Sequence, residues 1–170
     1  MSFPFRVGIG YDTHRLGNGG PLRIGGIDVP AEFHAIGHSD ADVLLHAITD
    51  ALLGSVAEAD IGRLFPDTDD ENRNRDSAEF LVEAVRRVRQ QGMEIGNIDG
   101  VILAQQPKMA PHIDAMRQQI AEIVDVPIER IGLKAKTAEG LGAIGDSAAI
   151  AARAVALVYA PQRGNGSSPE

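Results

Sequence analysis

His38-Ser39-Asp40-Ala41-Asp42-Val43-Leu44-Leu45-His46-Ala47-Ile48-Thr49-Asp50 is the stretch from which both the fold and the chemistry of this chain are read. Ser39, followed three residues on by Asp42 just ahead of an apolar run, predicts a helix start of capping-box type with Ser39 as N-cap. Val43, Leu44, Ala47, Ile48, Ala51 and Leu52 recur at helical spacing and predict a buried stripe on a helix over residues 40–56. Asp42, His46 and Asp50 stand four apart, so they share one face beside that stripe. Upstream, residues 5–12 read as a strand that runs into Thr13-His14. Residues two apart on a strand point the same way, so Asp12 and His14 face one point that His46 approaches from the helix. One carboxylate and two imidazoles make a three-ligand metal set with a position left open. With nitrogen and oxygen donors and no sulfur, the set suits Zn²⁺, Mn²⁺ or Fe²⁺, and two His with one carboxylate also serve the non-haem iron oxygenases. The plainer alternative is a polar strand end beside a histidine that only bonds a carbonyl.

The bulk composition sets the frame for that site. At 170 residues the chain suits one domain with a real core. Hydrophobic residues make up 44% and charged residues 24%, a globular mix, and aromatics only 4%, so the core is expected to be aliphatic. A net charge of −8 argues against nucleic acid as a partner. An anionic ligand would then need local help from a metal, a helix N-terminus or placed Lys and Arg. No cysteine is present, so disulfides and Cys-based zinc sites are excluded. No signal-peptide core opens the chain, and no run reaches the ~18 apolar residues of a spanning helix. The expectation is a cytoplasmic protein with no membrane contact.

Residues 17–21 read as a turn, and Gly25-Gly26 between two short apolar runs predicts a small hairpin. Gly8 and Gly10 in the first strand suit close backbone approach. Residues 58–75, acidic and broken by Gly62 and Pro66, read as a long loop. Asp76-Ser77 precede a second amphipathic helix carrying Phe80, Leu81, Ala84, Val85 and Val88, ended by Gly92. Residues 95–104 are strand-like, 105–110 a connector, and Pro111 opens a third helix with Ile113, Met116, Ile120 and Ile123 on its stripe. Residues 131–137 are strand-like again. Residues 148–159 stay ambiguous: alanine favours helix, but the run from Ala154 to Tyr159 suits a buried strand. Residues 161–170 are polar and read as a disordered tail. The order predicts one α/β (α+β) domain over residues 1–160, with helices packed on one face of a mixed four-stranded sheet.

Other candidates for chemistry are weaker one by one. His38 stands at a helix entrance where amides favour an anion, and Ser39 beside it. Asp60-Ile61-Gly62 and Phe65-Pro66-Asp67-Thr68-Asp69 read either as a solvated acidic turn or as carboxylates held by Gly and Pro for sugar-like hydroxyls. Their spacing is not that of an EF-hand. Lys108 precedes a helix N-terminus that could hold a nucleotide, or is a surface lysine. Glu139 is a candidate for a hard cation such as Mg²⁺, or a surface acid.

In order along the chain, these pieces resemble the 2-C-methyl-D-erythritol 2,4-cyclodiphosphate synthase family of the non-mevalonate isoprenoid pathway. The matching runs are Gly10-Tyr11-Asp12-Thr13-His14, Ile24-Gly25-Gly26, His38-Ser39-Asp40-Ala41-Asp42 with His46, and Asp50-Ala51-Leu52-Leu53-Gly54. Asp60-Ile61-Gly62, Phe65-Pro66-Asp67-Thr68-Asp69, Gly96-Asn97-Ile98-Asp99, Pro107-Lys108-Met109, Pro111-His112 and Lys134-Ala135 with Thr137 and Glu139 complete the set. The resemblance implies a homotrimer with active sites between subunits, and a strand over residues 148–159. It implies Zn²⁺ on Asp12, His14 and His46, and Mg²⁺ or Mn²⁺ on Glu139, bridging the substrate diphosphate. It implies that His38 and Thr137 act on the reacting phosphates, and that Thr13 and Ser39 lie with them in the substrate site. The cytidine falls to Ala104, Gln105, Gln106, Pro107, Lys108, Met109 and Ala110 of a neighbour; Ala135, Lys136 and Ala138 also belong to the substrate site, Lys136 as a cation beside the nucleotide phosphates. The erythritol end falls to residues 60–62 and 65–69. The implied reaction is an intramolecular phosphoryl transfer that releases CMP. The alternatives are a metal-dependent nucleotide-diphosphate hydrolase and a non-catalytic trimer that binds metal or nucleotide.

The chain departs from the family pattern near its fourth strand. Lys136 and Ala138 replace two threonines of a Lys-Ala-Thr-Thr-Thr-Glu run. Ala143 and Asp146 stand where the family often has Phe and Arg, positions linked to an anion-capped cavity on the trimer axis. An isoprenoid diphosphate is not expected on that axis here.

Overall fold

A computed structural model describes residues 4–66 and 68–161 of the chain. Asp67 and the tail from residue 162 onward lie outside the described residues, and with them, Pro161 apart, the segment expected to be disordered. The elements are β1 (Phe5–Asn18), β2 (Leu22–Ile24), β3 (Ile27–Val29), β4 (Phe33–Ile36), α1 (Val43–Ser55) and α2 (Ile61–Leu64). They continue with α3 (Ser77–Gln90), β5 (Glu94–Leu103), α4 (Ile113–Val124), β6 (Ile131–Lys136), α5 (Gly142–Gly145) and β7 (Ala149–Tyr159). Short 3-10 turns at Asp70–Asn72, Ala110–His112 and Ile128–Arg130 join them.

The sheet runs in the order β4-β1-β7-β5-β6, with β5 and β6 parallel and every other pair antiparallel. The four expected strands are present, and β4 adds a fifth at the edge by pairing with the far end of β1. That pairing also carries β1 well past its expected end. β7, ambiguous in sequence, is a central strand between β1 and β5. Its alanines at 152, 154 and 156 are buried on the face beneath α1, where their small side chains admit the helix close to the strand.

The contact that places everything else is α1 on β1. Gly8 and Gly10 face the helix, and a Cβ on either would lie 1.9 Å from a helix carbonyl, that of Ala51 or Ala47 respectively. No residue but glycine allows that approach, and alanines on the helix side meet it. Gly8, Gly10, Asp12 and His14 alternate onto the same face of β1. The glycines therefore seat the helix, and the next two residues on that face meet the side chain of His46, one residue before Ala47.

Helix α1 begins later than expected. Its N-cap is Asp42, not Ser39, and Asp42 accepts from the amides of Leu44 and Leu45 at 3.1 and 3.0 Å. Ala41 takes a left-handed backbone (φ 58°) and breaks any continuation towards Ser39. The same carboxylate accepts from Gly25 and Gly26 at 2.9 and 2.7 Å. These two glycines form the two-residue turn of the β2–β3 hairpin, both at positive φ (62° and 76°). Helix α3 packs on α1, and α4 on α3 and β6. Apart from Phe80, the buried apolar side chains among the described residues are aliphatic or methionine.

On the opposite face of the sheet the β1–β7 part is open and largely apolar, while Arg153, Asp99 and Lys134 bring charge towards β5 and β6. Val7, Ile9 and Tyr11 of β1, with Val155 of β7, are 43–72% exposed there. An antiparallel sheet with a solvated face normally turns polar residues to water, so an apolar patch of this kind marks an interaction surface.

Candidate metal centre and its pocket

Three atoms converge where β1 leaves the glycines. Asp12 Oδ2 lies 2.9 Å from His46 Nδ1 and 3.0 Å from His14 Nε2, and the two ring nitrogens are 3.2 Å apart. Ligands 2.0–2.1 Å from a tetrahedral Zn²⁺ stand about 3.3 Å apart, so the triangle has nearly the size the ion needs.

The outer hydrogen bonds set which atoms carry lone pairs. His14 Nδ1 is 3.1 Å from the Ile36 carbonyl oxygen, which can only accept, so the ring donates there and leaves Nε2 bare. His46 Nε2 is 2.8 Å from Ser77 Oγ, whose own proton goes to Asp40 Oδ1, so this ring donates outward and leaves Nδ1 bare. A carboxylate oxygen and two nitrogen lone pairs then face one another and call for a positive charge between them. Burial opposes charge on Asp12, but the His14 and His46 imidazoles beside it outweigh it and hold the carboxyl far below the usual range. Burial likewise opposes charge on His14, and its bond to Asp12 wins and raises it. Metal-ligating histidines with their second nitrogen engaged in this way are the norm.

The site opens into a cavity of about 400 Å³, the size of a small-molecule pocket. The three ligands, His38, Ser39, Ile61, Gly62, Phe65, Asn72 and Phe80 line it. Phe65 and Phe80 stack tilted at 4.5 Å, with the Arg75 guanidinium over both rings at 5.4 and 5.5 Å. Asn72 ties the loop down by donating to the Pro66 carbonyl at 2.9 Å. The long acidic loop is thus more ordered than expected, with α2 and a 3-10 turn folded over the pocket.

The sequence-selected residues divide into groups. Asp12, His14 and His46 meet, and His38, Ser39, Ile61, Gly62 and Phe65 share their cavity. His38 Nε2 reaches the Asp69 carbonyl at 3.2 Å. Asp60 caps α2, accepting from Arg63 at 2.9 Å, and Thr68 and Asp69 follow Pro66 in the covering loop. Of the acidic row on α1, only His46 enters the site. Asp42 holds the hairpin, and Asp50 accepts from the Ile61 amide at 2.8 Å, anchoring the pocket wall. Burial pushes the Asp50 carboxyl up, against that bond. Thr13 alternates away and donates to the Ile150 carbonyl at 3.1 Å.

Among the described residues, none of Ala104, Gln105, Gln106, Pro107, Lys108, Met109, Ala110, Ala135, Lys136, Thr137, Ala138 or Glu139 lines this cavity. They gather at the ends of β5 and β6. Thr13, Ala151, Leu103 and Lys136 are in register across the sheet, so Lys136 is three strands, about 14 Å, from β1. The Gly140 amide donates to Gln105 Oε1 at 3.4 Å, and Thr137 Oγ1 donates to Glu139, which sits in the left-handed region (φ 51°). Lys134 pairs with Asp99. Sequence reasoning did not single out Ser77, Asp40, Asn72 or Phe80 for the site. The only local signal was the Asp76-Ser77 helix start.

Fold and site together define a single-domain α+β protein with a candidate mononuclear divalent-metal centre at the mouth of a ligand-sized cleft. A model described as the YgbB family matches residues 5–159, and the chain belongs to that family. It is 67% identical over 154 residues to a curated 2-C-methyl-D-erythritol 2,4-cyclodiphosphate synthase of Rhodopirellula baltica, covering 91% of this chain and 93% of the relative. Among solved structures it superposes on the bifunctional IspDF from Campylobacter jejuni with a TM-score of 0.90 at 39% identity, over 94% of this chain and 43% of that longer one. It superposes on IspF of Plasmodium falciparum, a CDP complex, with a TM-score of 0.84 at 32% identity, over 95% of this chain and all of the other (100%).

Proposed function

We propose that this chain converts 4-diphosphocytidyl-2-C-methyl-D-erythritol 2-phosphate to 2-C-methyl-D-erythritol 2,4-cyclodiphosphate with release of CMP, in the cytoplasm, as a homotrimer. The observation that carries the reading is the Asp12, His14, His46 triangle opening into a cleft, in a chain 67% identical to a protein of that activity.

Asp12, His14 and His46 would hold Zn²⁺, and Glu139 a Mg²⁺ or Mn²⁺ ion. Such ions supply positive charge to a phosphorus centre that another anion must approach. The protein's own residues supply position. The 2-phosphate is already an anion near neutral pH, so its attack on the β-phosphorus needs no general base. His38 and Ser39 stand at the pocket mouth to donate to phosphate oxygens, and Thr137 does so from the second loop. Asp60 and the loop over residues 65–69 hold the erythritol hydroxyls, while Phe65 and Phe80 exclude water on one side. Holding both ends of a flexible substrate can contribute about 7–11 kcal/mol to ring closure.

The cytidine-binding segment of residues 104–110 lies away from its own chain's cleft, and the open apolar sheet face asks for a partner. Both features support a trimer in which each cleft receives the connector of its neighbour. Incubation with the substrate, Zn²⁺ and Mg²⁺, followed by ³¹P NMR, is expected to show a cyclic diphosphate and CMP in equal amounts. CMP together with an open-chain 2,4-bisphosphate, one of the two carrying oxygen from labelled water, would establish a hydrolase instead.

A further inference from the structure

The geometry points to Ser77 and Asp40 as positioning residues for the metal centre: they hold His46 in the tautomer that presents Nδ1 to the ion. This rests on the metal reading of Asp12, His14 and His46 and extends it to side chains outside the cleft.

His46 is nearly buried, and its Nε2 has two hydroxyl neighbours, Ser77 at 2.8 Å and Ser39 at 3.1 Å. They are not equivalent. Ser77 Oγ is closer, belongs to a fully buried residue, and commits its proton to Asp40 Oδ1. It therefore has only lone pairs to offer the ring, and His46 Nε2–H must donate to it. Ser39 Oγ accepts from the Ala41 amide at 3.2 Å and lines the cleft, so its proton stays free for a ligand.

Asp40 is fixed for this task from several sides. Oδ2 accepts from the Ser77 amide and Oδ1 from the Asp42 amide, each at 3.1 Å. Its own amide donates to the Arg75 carbonyl at 3.1 Å. Arg23 of the hairpin approaches its Oδ2 at 3.9 Å and Asp76 at 3.8 Å. Carboxylate, hydroxyl and imidazole then form one hydrogen-bonded chain, and it ends at the ring whose Nδ1 would hold the ion. Charge on Asp40 polarises the Ser77 hydroxyl, which strengthens its acceptance from Nε2–H and enriches Nδ1 in electron density. Partners of this kind orient a ligating ring and raise its basicity, and losing one weakens metal binding roughly 10–100-fold. The line also spans the α1–α3 boundary, so the seating of α3 is read out at the metal.

The test is Ser77→Ala, with Ser77→Thr and Asp40→Asn beside it, each verified as folded by circular dichroism. Zinc affinity is measured by chelator competition, and the His46 ring ¹⁵N shifts are recorded on metal-free protein. The parent is expected to show His46 protonated at Nε2. Ser77→Ala should bind zinc about 10–100-fold more weakly and show a tautomer mixture. Ser77→Thr, which keeps the hydroxyl, should recover most of the affinity, and Asp40→Asn should fall between. A folded Ser77→Ala protein with parental zinc affinity and unchanged ring shifts overturns the assignment, whatever its Tm. Should Ser77→Ala fail to fold, a folded Asp40→Asn protein with parental affinity does the same. A parent that binds no zinc while His46 stays protonated at Nε2 would instead overturn the metal reading.

Discussion

The two parts of the proposed substrate site are built in opposite ways. The metal half is finished within one chain: its ligands, their outer hydrogen bonds and the aromatic wall all come from β1, β4, the segment leading into α1, α1 itself, α3 and the loop between the helices. The nucleotide half, residues 104–110 and 135–139, lies at the ends of β5 and β6 with no share in that cleft. A cation site demands sub-ångström order, which backbone contact and buried hydrogen bonds provide. A nucleotide can be received by a loop that another copy brings, and the apolar face of β1 and β7 is where such a copy would dock.

Separating the two halves is the strongest test of that difference. Ile9→Lys places a charge on the open face without touching the ligands. Turnover is expected to fall by about a hundredfold or more as assembly is lost, because the nucleotide half is then misplaced. Zinc affinity should stay within a few-fold of the parent. Light scattering and chelator competition read the two effects, and a variant that loses zinc along with assembly would show that the metal half is not self-sufficient.

Gly10→Ala attacks the metal half from its foundation. The new Cβ would fall 1.9 Å from the Ala47 carbonyl oxygen, a backbone atom that cannot move alone. A loss of about 3 kcal/mol in urea unfolding is expected, together with weaker zinc binding as His46 leaves Asp12. Gly54→Ala on the same helix meets nothing nearer than the Ile9 carbonyl at 3.9 Å and should stabilise by about 0.5–1 kcal/mol. Equal effects of the two would remove the special role of the β1–α1 contact.

Glu139→Gln addresses the other half. It should raise the Mg²⁺ or Mn²⁺ concentration for half-maximal turnover by about tenfold, the scale of losing one ligand's worth of 1.4 kcal/mol, with zinc affinity unchanged. An unchanged metal titration would remove that assignment. The smallest effect is expected at Thr49, whose hydroxyl is the one buried side-chain polar atom among the described residues without a hydrogen-bond partner. Thr49→Val removes an unsatisfied group in a nearly unchanged shape, so Tm should hold or rise slightly, by up to about 1 kcal/mol of stability.

How much of this was legible before the structure follows from the range of each interaction. The ligand trio could be read because strand alternation and helix periodicity are local, and Asp12, His14 and His46 each declare their direction within a few residues. Gly8 and Gly10 could be read for the same reason, as could the Gly25-Gly26 turn. The Ser77–Asp40 line could not, since the two are 37 positions apart and meet only once α3 packs on α1. The helix start was misplaced because Asp40 and Ala41 serve other contacts: Asp40 turns to α3, and Ala41 leaves the helical region. The alanine-rich β7 looked helical by propensity, but burial between two strands and under α1 decided its form. The edge strand β4 carried too short a pattern, Phe33 to Ile36, to stand out from its turn-rich surroundings.

The central claim is that a cation held by Asp12, His14 and His46 is needed for ring closure, and His46→Ala tests it most directly. Purified parent and variant are analysed for bound zinc, then incubated with the substrate, Zn²⁺ and Mg²⁺ and followed by ³¹P NMR. The account predicts a folded variant without zinc whose cyclic diphosphate and CMP form about a thousandfold more slowly or not at all. A zinc-free variant that cyclises the substrate at the parental rate would contradict it.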